Sequence, residues 1–118
     1  MSKITISVRT HIKLDDIESL LDSASRGSSY WCYNELAYES NVKLALKEQG
    51  VIIEDQEGSD KDGNPKTHVL NLTKIKKGLT VMAKKERKHF ADFLNGDYDQ
   101  TTGDVFLQCC LFGEVIYG

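Results

Sequence analysis

The apolar positions change period several times along the chain, and each change marks an element. In "KITISVRTHI" Ile4, Ile6 and Val8 alternate with polar residues, and Ile12 follows one step out of phase. A period of two with one apolar side predicts a strand buried on one face. In "KLDDIESLLDSASRG" the spacing turns helical, with Leu14, Ile17, Leu20, Leu21 and Ala24 on one side. Asp15, Asp16 and Glu18 fill the first turn, where the helix dipole favours acids. Gly27 stands where a helix-ending glycine belongs, with Arg26 in the last turn. The aromatic run "SYWCYNELAY" predicts the next strand. In such a strand Trp31 and Tyr33 share one side, and Tyr30 and Cys32 the other.

Further on, "SNVKLALKEQG" has the caps of a short helix, Ser40 or Asn41 at its start and Gly50 at its end. "VIIEDQE" and "KTHVLNLT" read as two strands joined by the turn "GSDKDGNP", a β-hairpin with Leu70 and Leu72 on one face and Val69 on the other. Asp60, Asp62 and Asn64 resemble part of a calcium loop. The glycine comes too early and no Glu closes the loop, so the stretch reads as a plain turn. After Thr73 the period is helical again: Ile75, Leu79, Met82, Phe90, Phe93 and Leu94 form a stripe interrupted at "KKERK". Asn95-Gly96 stops it. "TTGDVFLQCCLFG" starts with Thr101 three residues before Asp104, a capping-box-like spacing. This last helix is apolar all round except at Gln108, which predicts burial on every side, and Gly113 ends it. The order of elements defines an α+β fold, a small, mostly antiparallel sheet with helices packed on one face.

The 118 residues fit a single domain, 1–118. With one Pro and 40% apolar residues the chain has the composition of an ordinary folded protein. No apolar run reaches the roughly 20 residues of a membrane span, and "MSKITISVRT" lacks the features of a secretory signal. A cytoplasmic protein without membrane contact is the expectation. Cys32, Cys109 and Cys110 are an odd number, two of them adjacent, with no C-x-x-C spacing. That pattern excludes a disulfide framework and gives no zinc signature, so the three read as buried small hydrophobes. No metal and no cofactor is expected.

Charge is uneven. Residues 73–95 hold seven Lys or Arg against two acids, and no basic residue follows Asn95, although the whole chain has net charge −3. The cations fall mostly opposite the apolar stripe. A solvated helix face explains them, while Lys77, Lys84, Lys85 and Lys88 are the residues through which the chain would meet nucleic acid or an acidic partner. Negative overall charge weighs against tight duplex binding, which is driven by counterion release. No catalytic constellation is present: no base can be placed beside a thiol or hydroxyl, and Asp15 and Asp16 diverge by about 100° on a helix. The chain reads as a non-enzyme. The remaining candidate is the turn Arg26-Gly27-Ser28-Ser29 running into Tyr30, Trp31 and Tyr33. There one aromatic pair would anchor the core. The other would border a pocket beside free backbone donors, with Arg26, Ser28 and Ser29 as its rim.

Two segments carry a resemblance. "DIESLLDSASRGSSYWC" is similar to a "DI..I...A.EGG..YWC" segment of a family of small bacteriophage and prophage proteins. The ending "DVFLQCCLFGEVIYG" resembles that family's "AD.I.QYALFGE.VYG". The chain departs from the pattern at Arg26 and Ser28, where the family tends to have an acid and a glycine. The resemblance implies a phage or mobile-element origin, a bacterial cytoplasmic setting and an accessory role, and it brings no catalytic residues. The expectation is a non-catalytic binding protein acting on a host protein or a small-molecule ligand such as a nucleotide signal, including in counter-defence. The alternative is a nucleic-acid-associated regulator using the basic helix. A homodimer through the C-terminal helix is expected if one face of that helix is exposed.

Overall fold

The computed structural model describes residues 2–118. In chain order the elements are α1 (Leu14–Gly27), β1 (Cys32–Tyr33), α2 (Glu39–Ala45), β2 (Val51–Ser59), β3 (Pro65–Leu70), α3 (Leu72–Lys85), α4 (Arg87–Leu94) and α5 (Gln100–Phe112). The three strands form an antiparallel sheet in the order β1-β2-β3. The fold is α+β, as the element order requires. Alternation decides which side of the sheet is buried. Ile53 and Leu70 enter the core, while Ile52 and its partner Val69 stay exposed on the outer side with Tyr33. The hairpin turn is held by its own acid. Asp60 Oδ1 accepts the backbone N–H groups of Asp62 and Asn64 at 2.8 and 3.0 Å, an arrangement that short polar side chains favour in turns.

The helix α5 is the centre of the molecule. Residues 102–110 are all buried, including Thr102, Asp104 and Gln108. The helices α1, α3 and α4 and the strand β3 all contact it. This explains why its sequence is apolar on every side, and it leaves no exposed face there for a second copy of the chain. Close packing is possible because the neighbours meet at glycine. A Cβ on Gly103 would overlap the backbone of Ser23 and Ala24 in α1, and one on Gly78 of α3 would overlap Cys110. Trp31, fully buried, closes the end of the core, stacked on Tyr117 at 5.2 Å and tilted against Phe112 at 5.5 Å.

Six expectations are corrected. Residues 3–12 form neither strand nor helix, and Ile4, Ile6 and Val8 are exposed. Their alternation equips them for a sheet, but no strand among the described residues pairs with them. The aromatic strand shrinks to Cys32–Tyr33, because the N–H groups of Trp31 and Cys32 both return to Ser28 O in a tight turn after α1. The true cap of α5 is Asp99, which accepts the Thr102 N–H while the Thr102 hydroxyl accepts from the Asp99 N–H. Asp104 lies inside the helix and is buried. Gly27 does not end α1 in a left-handed turn. It is the last helical residue, and it is small because the backbone of Gln100 passes against it. Finally, the basic stretch is two helices, broken at Glu86, and Leu72 belongs to α3 and not to the hairpin.

Candidate functional site

The turn after α1 brings the two motif segments together. Three donors converge on the carboxylate of Asp104: the Tyr30 hydroxyl at 2.6 Å, the Trp31 Nε1–H at 2.7 Å and the Gln108 Nε2–H at 3.0 Å. Asp104 and Gln108 are one helical turn apart, so both project from the same side of α5. Gln108 then reaches the tail. Its Oε1 accepts the N–H groups of Ile116 and Tyr117, both at 2.8 Å, and its Nε2 donates to Tyr117 O at 3.2 Å. Tyr117 in turn donates its hydroxyl to Asp55 Oδ2 at 2.8 Å, while Asp55 Oδ1 accepts the N–H groups of Glu57 and Gly58. One network of neutral donors and two buried carboxylates thus joins the turn, α5, the C-terminal tail and the bulge of β2. No cation takes part in it.

The electrostatics fit a latch better than a reaction centre. Burial, reinforced by the bond to Asp104, pushes the Tyr30 hydroxyl up to about 12. Burial and Asp55 do the same to Tyr117, also to about 12. Both phenols therefore hold their protons at neutral pH and act as donors. Burial pushes the Cys109 thiol up to about 11, and raises Cys32 and Cys110 as well, so the thiolate fraction of each is small. The Ser28 hydroxyl donates to Ala24 O at 2.6 Å, with no base beside it.

The expected rim residues are dispersed. Arg26 is exposed and paired with Asp22. Ser29 is exposed, its hydroxyl on Arg26 O. Ser28 is buried, and the N–H groups of Ser28 and Ser29 are bonded to Ala24 O and Arg26 O of α1. Trp31 and Cys32 are the core pair, while Tyr30 and Tyr33 are about half exposed. Neither alternate pair is the core pair: the turn at 28–31 buries Trp31 beside Cys32, and the short strand then turns Cys32 inward and Tyr33 outward. Tyr33 lies on the outer side of the sheet, away from Tyr30, and donates to Glu35. The sequence reading missed Asp55, Asp104, Gln108 and Tyr117. A signal was available: two polar residues four apart in an otherwise apolar buried helix call for a buried partner.

The open surface features lie elsewhere. A groove of about 540 Å³ runs between residues 8–14, α1, α3 and α4, with Ile12, Leu14, Leu79 and Phe90 on its walls and Lys76 and Lys84 at its rim. Of the expected basic residues, Lys84 borders this groove, Lys77 is exposed, Lys85 donates to Gly113 O at 3.0 Å and Lys88 pairs with Asp92 at 3.1 Å. A second hollow of about 510 Å³, between α1 and α2, is lined by Asp15, Glu18, Asp22 and Glu39. Among the described residues no group of three or more His, Cys, Asp or Glu is placed to hold a metal ion, and no helix is long and apolar enough to cross a membrane. Comparison with protein-family models, curated proteins and solved structures gives no match.

Proposed function

We propose that the chain is a phage or prophage accessory protein that acts in the bacterial cytoplasm by binding a host protein, without catalysis. The observation that carries this reading is the groove beside α3. It combines apolar walls with a cationic rim, at Lys76 and Lys84, on a protein whose net charge is −3. An amphipathic segment carrying acids fits such a surface, with its apolar side on Ile12, Leu79 and Phe90 and its acids at the lysines. The polar residues near the aromatic turn support the same reading, since their hydrogen bonds are made within the fold. The test compares the wild-type chain with a Lys76→Glu/Lys84→Glu variant as baits in host lysate. Both lysines are exposed, so the variant should fold, which circular dichroism checks. A host protein retained by the wild type and lost from the variant supports the reading. Equal retention by both removes the groove from it.

A second reading has its own observation. Lys77, Lys84 and Arg87 are exposed on consecutive helices and form no ion pair among the described residues. That surface could contact phosphates, in the service of a nucleic-acid-associated regulatory role. Binding to single- or double-stranded DNA that weakens steeply with rising salt would favour it.

A further inference from the structure

The segment 3–9 has a strand's sequence and no partner. Ile4, Ile6 and Val8 alternate with Lys3, Thr5, Ser7 and Arg9, and their exposures are 93%, 77% and 77%. Residues 2–12 make no backbone hydrogen bond to the rest of the described chain. The root of the arm is fixed, because Ile12 packs against the core and Val8, Thr10 and His11 border the groove beside α3, while Ile4 and Ile6 stand exposed. Three β-branched apolar side chains in water and a row of unpaired amides form a sticky edge.

A matching edge exists on the same molecule. The strand β3 ends the sheet, and its outer side is paired with nothing. It is 6 residues long, about 20 Å, and seven extended arm residues span about 23 Å at roughly 3.3 Å each. Beside that edge the outer sheet surface is apolar at Val69 and Ile52 and continues to Tyr33. A strand added there would place Ile4, Ile6 and Val8 next to Val69 and extend the apolar strip. The arm carries Lys3 and Arg9, while β3 itself carries Lys66 and no acid and the hairpin's acids, Glu54, Glu57, Asp60 and Asp62 among them, lie on β2 and the turn; length, alternation and the two unpaired edges make the match.

We propose that the arm is a β-strand donor to a second copy of the chain: in a twofold dimer, each arm adds to the outer edge of the partner copy's β3. Both halves of the contact are present on one chain, so exchange closes the assembly and leaves neither arm free. Val8 also lines the groove, but the exchange needs no occupant there.

Sedimentation equilibrium combined with amide hydrogen exchange, at low and high protein concentration, tests it. The expected result is a dimer at high concentration in which the amides of residues 4–8 and of β3 gain protection together. Successive amides point to opposite sides of a strand, so a Thr5→Pro/Ile6→Pro variant must lose a donor that faces the partner's edge and cannot complete the ladder. The dimer dissociation constant should rise about tenfold or more, the scale of one or two lost ladder bonds, while the monomer stays folded. A chain that remains monomeric with fast-exchanging arm amides overturns the proposal. Concentration-independent protection of the arm in a monomer also overturns it, since the arm would then pair with its own sheet. A Thr5→Pro/Ile6→Pro protein that dimerises as well as the wild type overturns it equally.

Discussion

At the scale of single residues, Asp104 shows how a buried carboxylate is tolerated without a counterion. Three neutral donors aim at it, from Tyr30, Trp31 and Gln108. Each donor matters to the extent that it has no alternative in water. The Trp31 Nε1–H is fully buried, so replacing the ring with phenyl removes a bond to a charged acceptor and solvent does not restore it. Trp31→Phe should cost about 1–3 kcal/mol for the bond alone, with further loss from the smaller ring. Tyr30 is about half exposed, and water can reach the vacated side of Asp104. Tyr30→Phe should therefore cost less than Trp31→Phe, on the order of 1 kcal/mol. Urea denaturation of the two variants measures the ranking. A reversed order would mean that the Tyr30 hydroxyl, and not the indole, carries the latch.

At the scale of elements, the helix contacts rest on the absence of side chains. Gly78 lies within α3, where alanine has the higher helix propensity by about 1 kcal/mol. Its Cβ would overlap Cys110 in α5, whose backbone N and Cα are also within 3 Å. Backbone cannot move aside as a side chain can, so overpacking should exceed the propensity gain. Gly78→Ala is expected to destabilise by about 1–3 kcal/mol, visible as a lower denaturation midpoint. The outer side of the same helix should behave oppositely. Lys77, Lys84 and Lys85 are exposed, and replacing all three with Gln should change stability by less than about 1 kcal/mol, even where it weakens binding. The same contrast explains what could be read from the sequence. Helices α1 and α5, the hairpin and one helical stretch covering α3 and α4 were legible, because their apolar periods record which side is buried, while the break at Glu86 was not. The arm was read as a strand because alternation reports what a segment could pair with, not whether a partner exists. The turn at residues 28–31 and the packing role of Gly27 were not legible, since both depend on what lies across the fold.

At the scale of the whole molecule, the turn after α1 is tied to α5, and the C-terminal tail to β2, by protons that the fold retains. Tyr30 reaches across to α5, and Tyr117 fastens the tail to the bulge of β2 through Asp55. Both hydroxyls are raised from 10.0 to about 12 by burial and by their carboxylate partners. Burial raises the thiols too, Cys109 from 9.0 to about 11 and Cys32 and Cys110 in the same direction. Every one of these groups keeps its proton longer in the folded state than in the unfolded chain. The unfolded chain releases protons first as the pH climbs, so folding weakens along that path. The stabilisation is complete below pH 9.0, declines as the unfolded thiols and then the unfolded phenols ionise, and is gone once the folded phenols titrate near 12. A series of urea midpoints should be flat through neutral pH and fall from about pH 9 upward. Tyr117→Phe should be less stable at neutral pH, where the bond to Asp55 is lost, and should fall less steeply above pH 10 because one raised phenol is missing. An alkaline slope identical in the variant and the wild type would show that Tyr117 does not couple the tail to the sheet in solution.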